Sequence, residues 1–328
     1  MHMKGDNTEK FIKETKLISV VVPCYNEEVV IPVFLSGINS IADHISQKYD
    51  VLFEYIFIND GSKDGTLDTL RKLRKEDETG RIKYLSFSRN FGKESAMYAG
   101  LEASAGDFVA IMDADLQDPP ELLETMYLGI TEEGYDCVGS RRVTRKGEPK
   151  VRSFFSKQFY RSINRMSATP IVDGARDFRL MTRQMVNEIL RLSERNRFSK
   201  GLFAWVGFDT KWLEYENRER VAGETSWSFW GLLKYSLDGM IAFSTRPLVV
   251  ASVLGVISCV IALILMIYYF VKALIYGDPV EGFPTLITVI LFLGGLQLLC
   301  IGILSQYLAK TYTESKGRPL YIIKEKEL

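Results

Sequence analysis

Two uncharged stretches constrain this chain more than any other feature: residues 247–271 and 283–309 contain no Asp, Glu, Lys or Arg. At about 25 and about 27 residues, each exceeds the roughly 20 helical residues that a bilayer core requires. Soluble core helices seldom run so far without a charge. The sequence therefore predicts two transmembrane helices, over residues 245–274 and 283–309, closed into a hairpin by a short link. Arg246 precedes the first, and Lys310, Lys316, Arg318, Lys324 and Lys326 follow the second, while the link offers Lys272 against Asp278 and Glu281. Positive flanks stay on the cytoplasmic side. The expectation is a multi-pass protein of the cell (inner or plasma) membrane with both termini cytoplasmic and residues 310–328 as a cytosolic tail.

The remaining residues are ample for a folded domain, since 47% of the 328 residues are hydrophobic. Lys and Arg total 41, as do Asp and Glu, so no global charge points to nucleic acid. Cys24, Cys137, Cys259 and Cys300 lie far apart without zinc-site spacing, and with His2 and His44 the only histidines, histidine catalysis is not expected. Residues 1–16 read as a flexible N-terminus. The first apolar run, residues 17–24, is short and leads into polar sequence, so no cleaved leader is expected and the N-terminal part stays in the cytosol.

That run, LISVVVPC, has the continuous β-branched character of a strand buried on both faces of a parallel sheet. Similar runs recur at residues 53–59, 82–87 and 108–113, each followed by polar or Gly residues and a helix-like stretch. This βαβ grammar predicts an α/β domain over residues 17–228. Asp64 is expected to cap one helix, and Asp118 another whose first turn holds Pro119 and Pro120. In open parallel sheets ligands bind beyond the carboxyl ends of the strands. Tyr25, Glu27, Asp60, Asp113 and Asp115 fall there.

The sharpest local pattern is Asp113-Ala114-Asp115-Leu116-Gln117-Asp118-Pro119-Pro120, in which a strand delivers two carboxylates and an amide to one loop. Hard cations such as Mg²⁺ or Mn²⁺ take one or two carboxylates and complete their shell with phosphate oxygens. Neither G-x-G-x-x-G nor G-x-x-x-x-G-K-[ST] occurs, which argues against dehydrogenases and P-loop kinases.

With Pro23-Cys24-Tyr25-Asn26-Glu27 and Asn59-Asp60-Gly61-Ser62, this loop resembles family 2 glycosyltransferases of the GT-A fold, a Rossmann-like α/β architecture. Within that family the chain is most similar to polyprenyl-phosphate glycosyltransferases, the class of dolichyl-phosphate mannose synthases and bacterial undecaprenyl-phosphate glucosyl and GlcNAc transferases. The resemblance covers roughly residues 17–320 and so includes both apolar runs. It implies that Pro23, Tyr25 and Glu27 contact the nucleotide, that Asp60 holds base or ribose, and that Asp113, Asp115 and Gln117 form the metal group, with Asp115 catalytic. Ser88-Arg89-Asn90-Phe91-Gly92-Lys93 also matches; a helix beginning near Gly92 would aim amides at phosphate, and Lys93 joins the donor-binding set. Arg141, Arg152, Arg179 and Arg220 are implied at the diphosphate or lipid phosphate, where the planar guanidinium matches phosphate oxygens. Asp177 is the acid among them, expected to position the acceptor or act as its base. Ser226 stands where many relatives carry lysine, a departure that bears on one phosphate contact.

Residues 151–166 interleave Phe154, Phe155, Phe159 and Tyr160 with Arg152, Lys157, Arg161 and Arg165, the pattern of an interfacial amphipathic helix. Residues 229–244 read as a second, juxtamembrane one. The expected activity is inverting transfer of a hexose, glucose or N-acetylglucosamine, from a UDP-sugar to undecaprenyl (polyprenyl) phosphate at the bilayer surface, giving a lipid-linked donor for the cell envelope. The alternatives are transfer to a neutral lipid hydroxyl, which needs a true base, and a noncatalytic nucleotide-binding scaffold. Gly294 and Gly295 in the second apolar run would support a homo-oligomer.

Overall fold

A computed structural model describes residues 15–143, 172–216, 245–276 and 282–328. Arg152, Arg220, Ser226 and the two expected amphipathic helices, 151–166 and 229–244, lie outside the described residues.

The β-branched runs form the parallel strands that their composition predicts: β1 (Lys16–Cys24), β2 (Val51–Asn59), β3 (Ile82–Phe87) and β4 (Phe108–Ile111). Helices α1 (Val30–Tyr49), α2 (Thr66–Glu76), α3 (Lys93–Ala103) and α4 (Leu122–Thr131) connect them or follow them. Then come β5 (Cys137–Arg142), β6 (Ala175–Thr182), α5 (Arg183–Arg191), α6 (Ser199–Trp205) and β7 (Thr210–Tyr215). With β8 (Ile323–Glu327), the strands of the described residues form one eight-stranded sheet, in the order β7-β5-β6-β4-β1-β2-β3-β8. Its two apolar faces carry separate cores, one containing Phe34, Tyr55 and Phe178, the other Ile56, Met97 and Met181.

Two registers position the site. Cys24 pairs with Asn59 and Asn59 with Ser86, so the carboxyl ends of β1 to β3 lie level. Strand β6 runs antiparallel to β4 with Ile111 opposite Arg179. Continued past Ile111, that register sets Asp113 across from Asp177. Helix α3 lies hard against β1: a Cβ built on Gly100 would come 2.1 Å from Cγ1 of Val21.

One helix start differs from expectation. Pro119 and Pro120 sit in turns ahead of α4, whose Leu122 and Leu123 amides donate to their carbonyls. Asp118 does not cap that helix, because Tyr215 and Arg176 take its carboxylate. Asp64 does serve the start of α2, accepting from the Thr66 amide at 3.1 Å.

Both apolar runs form helices, α7 (Arg246–Tyr276) and α8 (Phe283–Ser315), long and apolar enough to cross a membrane. Their Val, Ile and Leu side chains are largely exposed, as in Val256 and Leu298, so neither is the core helix of a soluble domain. Residues 310–328 are not a free tail. Helix α8 continues to Ser315, and strand β8 (Ile323–Glu327) then pairs antiparallel with β3 at the sheet edge. Glu314 accepts hydrogen bonds from the Arg195 and Asn196 amides at 2.8 and 3.0 Å. Glu325 accepts from Arg71 and from the Tyr84 hydroxyl. The alternating polar sequence of β8 suits an edge strand with a solvated outer face.

Candidate active site

The loops after β1 and β2 are bound to each other. The Asn26 amide donates to Ser62 Oγ, the Glu27 amide to Thr66 Oγ1, and the Lys63 amide to Asn26 Oδ1, each at 2.9 Å. Tyr25 is 42% exposed beside these loops, with Pro23 and Glu27 half-buried.

Asp60 is 3% exposed. Its carboxylate accepts the Phe91 amide at 2.6 Å and the Gly92 amide at 2.9 Å. Burial pushes this carboxyl up, against the pull of the two amides and of Arg89. Asp60 thus shapes the turn that starts α3, and those two amides serve a carboxylate within the protein. Gly92 adopts φ +97°, a left-handed conformation that favours glycine, and the helix begins at the next residue, Lys93.

Lys93 stands between two carboxylates. Its Nζ lies 2.7 and 2.9 Å from the two oxygens of Asp113 and 2.6 Å from Asp177 Oδ2. Burial alone would lower its pKa, but the two carboxylates outweigh that and raise it. Burial alone would raise Asp177, yet Lys93, reinforced by Lys200, holds that carboxyl well below the usual range. Both acids are recessed, with side-chain exposures of 24% for Asp113 and 17% for Asp177. The next residue of α3, Glu94, accepts from the Ser199 amide at 2.9 Å and so ties α3 to the start of α6.

Beyond Asp113 the chain turns tightly. Asp115 Oδ1 accepts from the Gln117 amide at 3.1 Å, and Leu116 between them has φ +53° while its side chain packs on the core. Arg176, on β6, closes the loop from the far side. Its Nε donates to Asp118 at 3.0 Å and its Nη2 to Gln117 Oε1 at 3.4 Å, while the Tyr215 hydroxyl also donates to Asp118. Arg176, Asp118 and Tyr215 escape sequence reasoning as a unit because they join only when β6 and β7 enter the sheet.

The donor set of Asp113, Asp115 and Gln117 fits a hard divalent cation: two carboxylates and an amide oxygen, with further positions left for phosphate oxygens. Among the described residues no group of three or more His, Cys, Asp or Glu is gathered to hold a metal unaided.

The expected phosphate arginines divide. Arg141 Nε donates to the Asp173 carbonyl at 3.0 Å, and its Nη1 lies 3.5 Å from Glu214. Arg179 is 2% exposed, stacks 3.9 Å from the Phe203 ring centre, and donates to the carbonyls of Asp177 and Arg176. It therefore braces the backbone that carries Asp177. Beside it lies a cavity of about 180 Å³ whose lining includes Lys200, Phe203 and Trp212.

A mixed sheet that delivers a D-x-D loop and an opposing carboxylate to the ends of its parallel strands is the scaffold of a GT-A glycosyltransferase. The chain belongs to glycosyl transferase family 2, whose sequence pattern matches residues 19–190. It is similar over 94% of its length to CsbB of Bacillus subtilis (strain 168), a glycosyltransferase by name, with 45% identity over 92% of that protein. Bactoprenol glucosyl transferase of Shigella phage SfV is 41% identical, the match covering 94% of this chain and 99% of that one. Among solved structures the chain is similar to the mannosyltransferase PcManGT from Pyrobaculum calidifontis, at 17% identity and a TM-score of 0.45, covering 90% of this chain and 88% of that one. The protein is a glycosyltransferase, and its two apolar helices associate it with a membrane.

Proposed function

We propose that this glycosyltransferase moves glucose from UDP-glucose to undecaprenyl phosphate, with inversion, at the cytosolic face of the cell membrane. The observation that carries the reading is the continuity of one sheet. Strands β4 and β6 bring the cleft carboxylates together, and β8, which follows the second apolar helix, closes the opposite edge on β3. A transferase tied to a membrane hairpin in this way suits an acceptor whose chain stays in hydrocarbon. Full-length similarity to proteins named bactoprenol glucosyl transferase supports glucose and a polyprenyl phosphate.

In this reading an oxygen of the lipid phosphate attacks the anomeric carbon as the bond from that carbon to the UDP diphosphate breaks. Asp113, Asp115 and Gln117 would hold Mg²⁺ or Mn²⁺, which supplies charge neutralisation for the leaving diphosphate. The acceptor phosphate is already ionised at neutral pH, so no proton has to be removed from it. Asp177, ion-paired with Lys93 at 2.6 Å, suits a role in positioning the acceptor. Arg152, Arg220 and Ser226 are proposed to meet the phosphates.

A donor screen tests the proposal: purified full-length protein with undecaprenyl phosphate, a divalent metal and UDP-, GDP- or TDP-hexoses, with lipid products read by mass spectrometry. Glucosyl-phosphoryl-undecaprenol from UDP-glucose is the expected product. Transfer from none of these donors would remove the proposal.

A further inference from the structure

Asp177 lies in β6 and Asp113 two residues past the end of its antiparallel neighbour β4, and the β4–β6 register, continued, sets them opposite each other. Two recessed carboxylates in this arrangement repel each other and require a counter-charge. The Lys93 ammonium supplies it and spans both oxygens of Asp113 as well as one of Asp177.

A divalent ion held by Asp113 would draw on the same carboxylate oxygens. The lysine occupies those same oxygens at 2.7 and 2.9 Å. Ion and ammonium therefore compete for Asp113. Lys93 is the first residue of α3 and has a four-carbon stem with a side chain 40% exposed, a placement from which the ammonium can change partners. An incoming diphosphate offers the ammonium a new anionic partner while Asp177 still anchors it.

We infer that Lys93 is the counter-ion of the Asp113–Asp177 pair and cedes Asp113 to the metal only when the donor diphosphate takes up the ammonium. The lysine thereby suppresses metal binding by the nucleotide-free enzyme and couples metal to donor. Such coupling is reciprocal, so the metal must strengthen UDP binding by the same factor that UDP strengthens the metal. The inference rests on the metal and donor assignment proposed above.

The test is Mn²⁺ binding to the full-length protein in detergent, followed by electron paramagnetic resonance with and without UDP. In the wild type, Mn²⁺ alone should bind weakly and UDP should strengthen it. Lys93→Gln should bind Mn²⁺ alone about tenfold more tightly than wild type and lose a similar factor of the UDP enhancement. Lys93→Arg, which keeps the charge, should retain the coupling. Asp177→Asn, which leaves the ammonium to Asp113 alone, should not tighten Mn²⁺ binding, so the two neutral variants move in different directions. An unaltered UDP enhancement in Lys93→Gln, or no gain in its UDP-free affinity, would overturn the inference while leaving the enzyme assignment standing. If the wild type itself bound no Mn²⁺ with UDP, the assignment would fail instead.

Discussion

The ring of Tyr321 stacks on that of Phe87, with centroids 4.9 Å apart and an interplanar angle of 16°. Phe87 ends β3, the strand that leads into the Lys93 turn, and Tyr321 precedes β8, so the contact joins the segment that follows α8 to the start of that turn. The Ser88 amide, donating to the Ile322 carbonyl at 2.9 Å, extends the same junction. A double-mutant cycle with Phe87→Leu and Tyr321→Leu should return a coupling energy of about 1 kcal/mol, as expected for a stacked aromatic pair. Thermal or denaturant unfolding of the detergent-solubilised protein measures it.

The same edge should respond to acid. Arg71, then Tyr84, pull Glu325 down to about 2. Its unfolded value is about 4.3, so the stabilisation is fully present above that pH and is lost as pH falls toward the folded value. Amide exchange in β8, corrected for its intrinsic pH dependence, should accelerate relative to that of β1 between about pH 4.5 and 2. Glu325→Gln should remove the difference in pH response.

Gly100 tests how closely α3 must approach the sheet. Ala in its place would press on Val21, and the helix that carries Lys93 would have to shift. Gly100→Ala should destabilise by about 1–3 kcal/mol. Adding Val21→Ala should recover part of the loss, since the clash is with that side chain, and a melting-temperature series over the single and double variants reads it.

Arg176 orients the loop that is proposed to hold the metal. Arg176→Gln should lower activity about 10- to 100-fold, the usual cost of removing a group behind a metal ligand. The loss should shrink at high Mn²⁺ if Gln117 and Asp118 are displaced but still present. A metal titration of the initial rate distinguishes this from general unfolding, which added metal would not repair.

Much of this was legible in the sequence, for identifiable reasons. Strands β1 to β4 announce themselves because they are largely buried, which forces apolar runs such as that from Val20 to Val22. The D-x-D loop follows from its position after such a run. Strand β8 is hidden because an edge strand with one solvated side reads as polar tail, and its register with β3 involves residues more than two hundred positions away. Lys93 is hard to rank from sequence, since a lysine at a helix start looks like any surface lysine. Only the antiparallel pairing of β4 with β6, which no local pattern encodes, brings Asp113 and Asp177 to it. Asp60 illustrates the converse: its place after β2 is readable, whereas its engagement with the Phe91 and Gly92 amides depends on the neighbouring loop.

The nature of the acceptor is the central claim, and direct competition tests it. Full-length protein in mixed micelles would receive labelled UDP-glucose, Mn²⁺, and equal concentrations of undecaprenyl phosphate and diacylglycerol, with the lipid products separated and counted. The label should enter the polyprenyl phosphate and stay out of the diacylglycerol. Predominant labelling of diacylglycerol, or of neither lipid, would contradict the account.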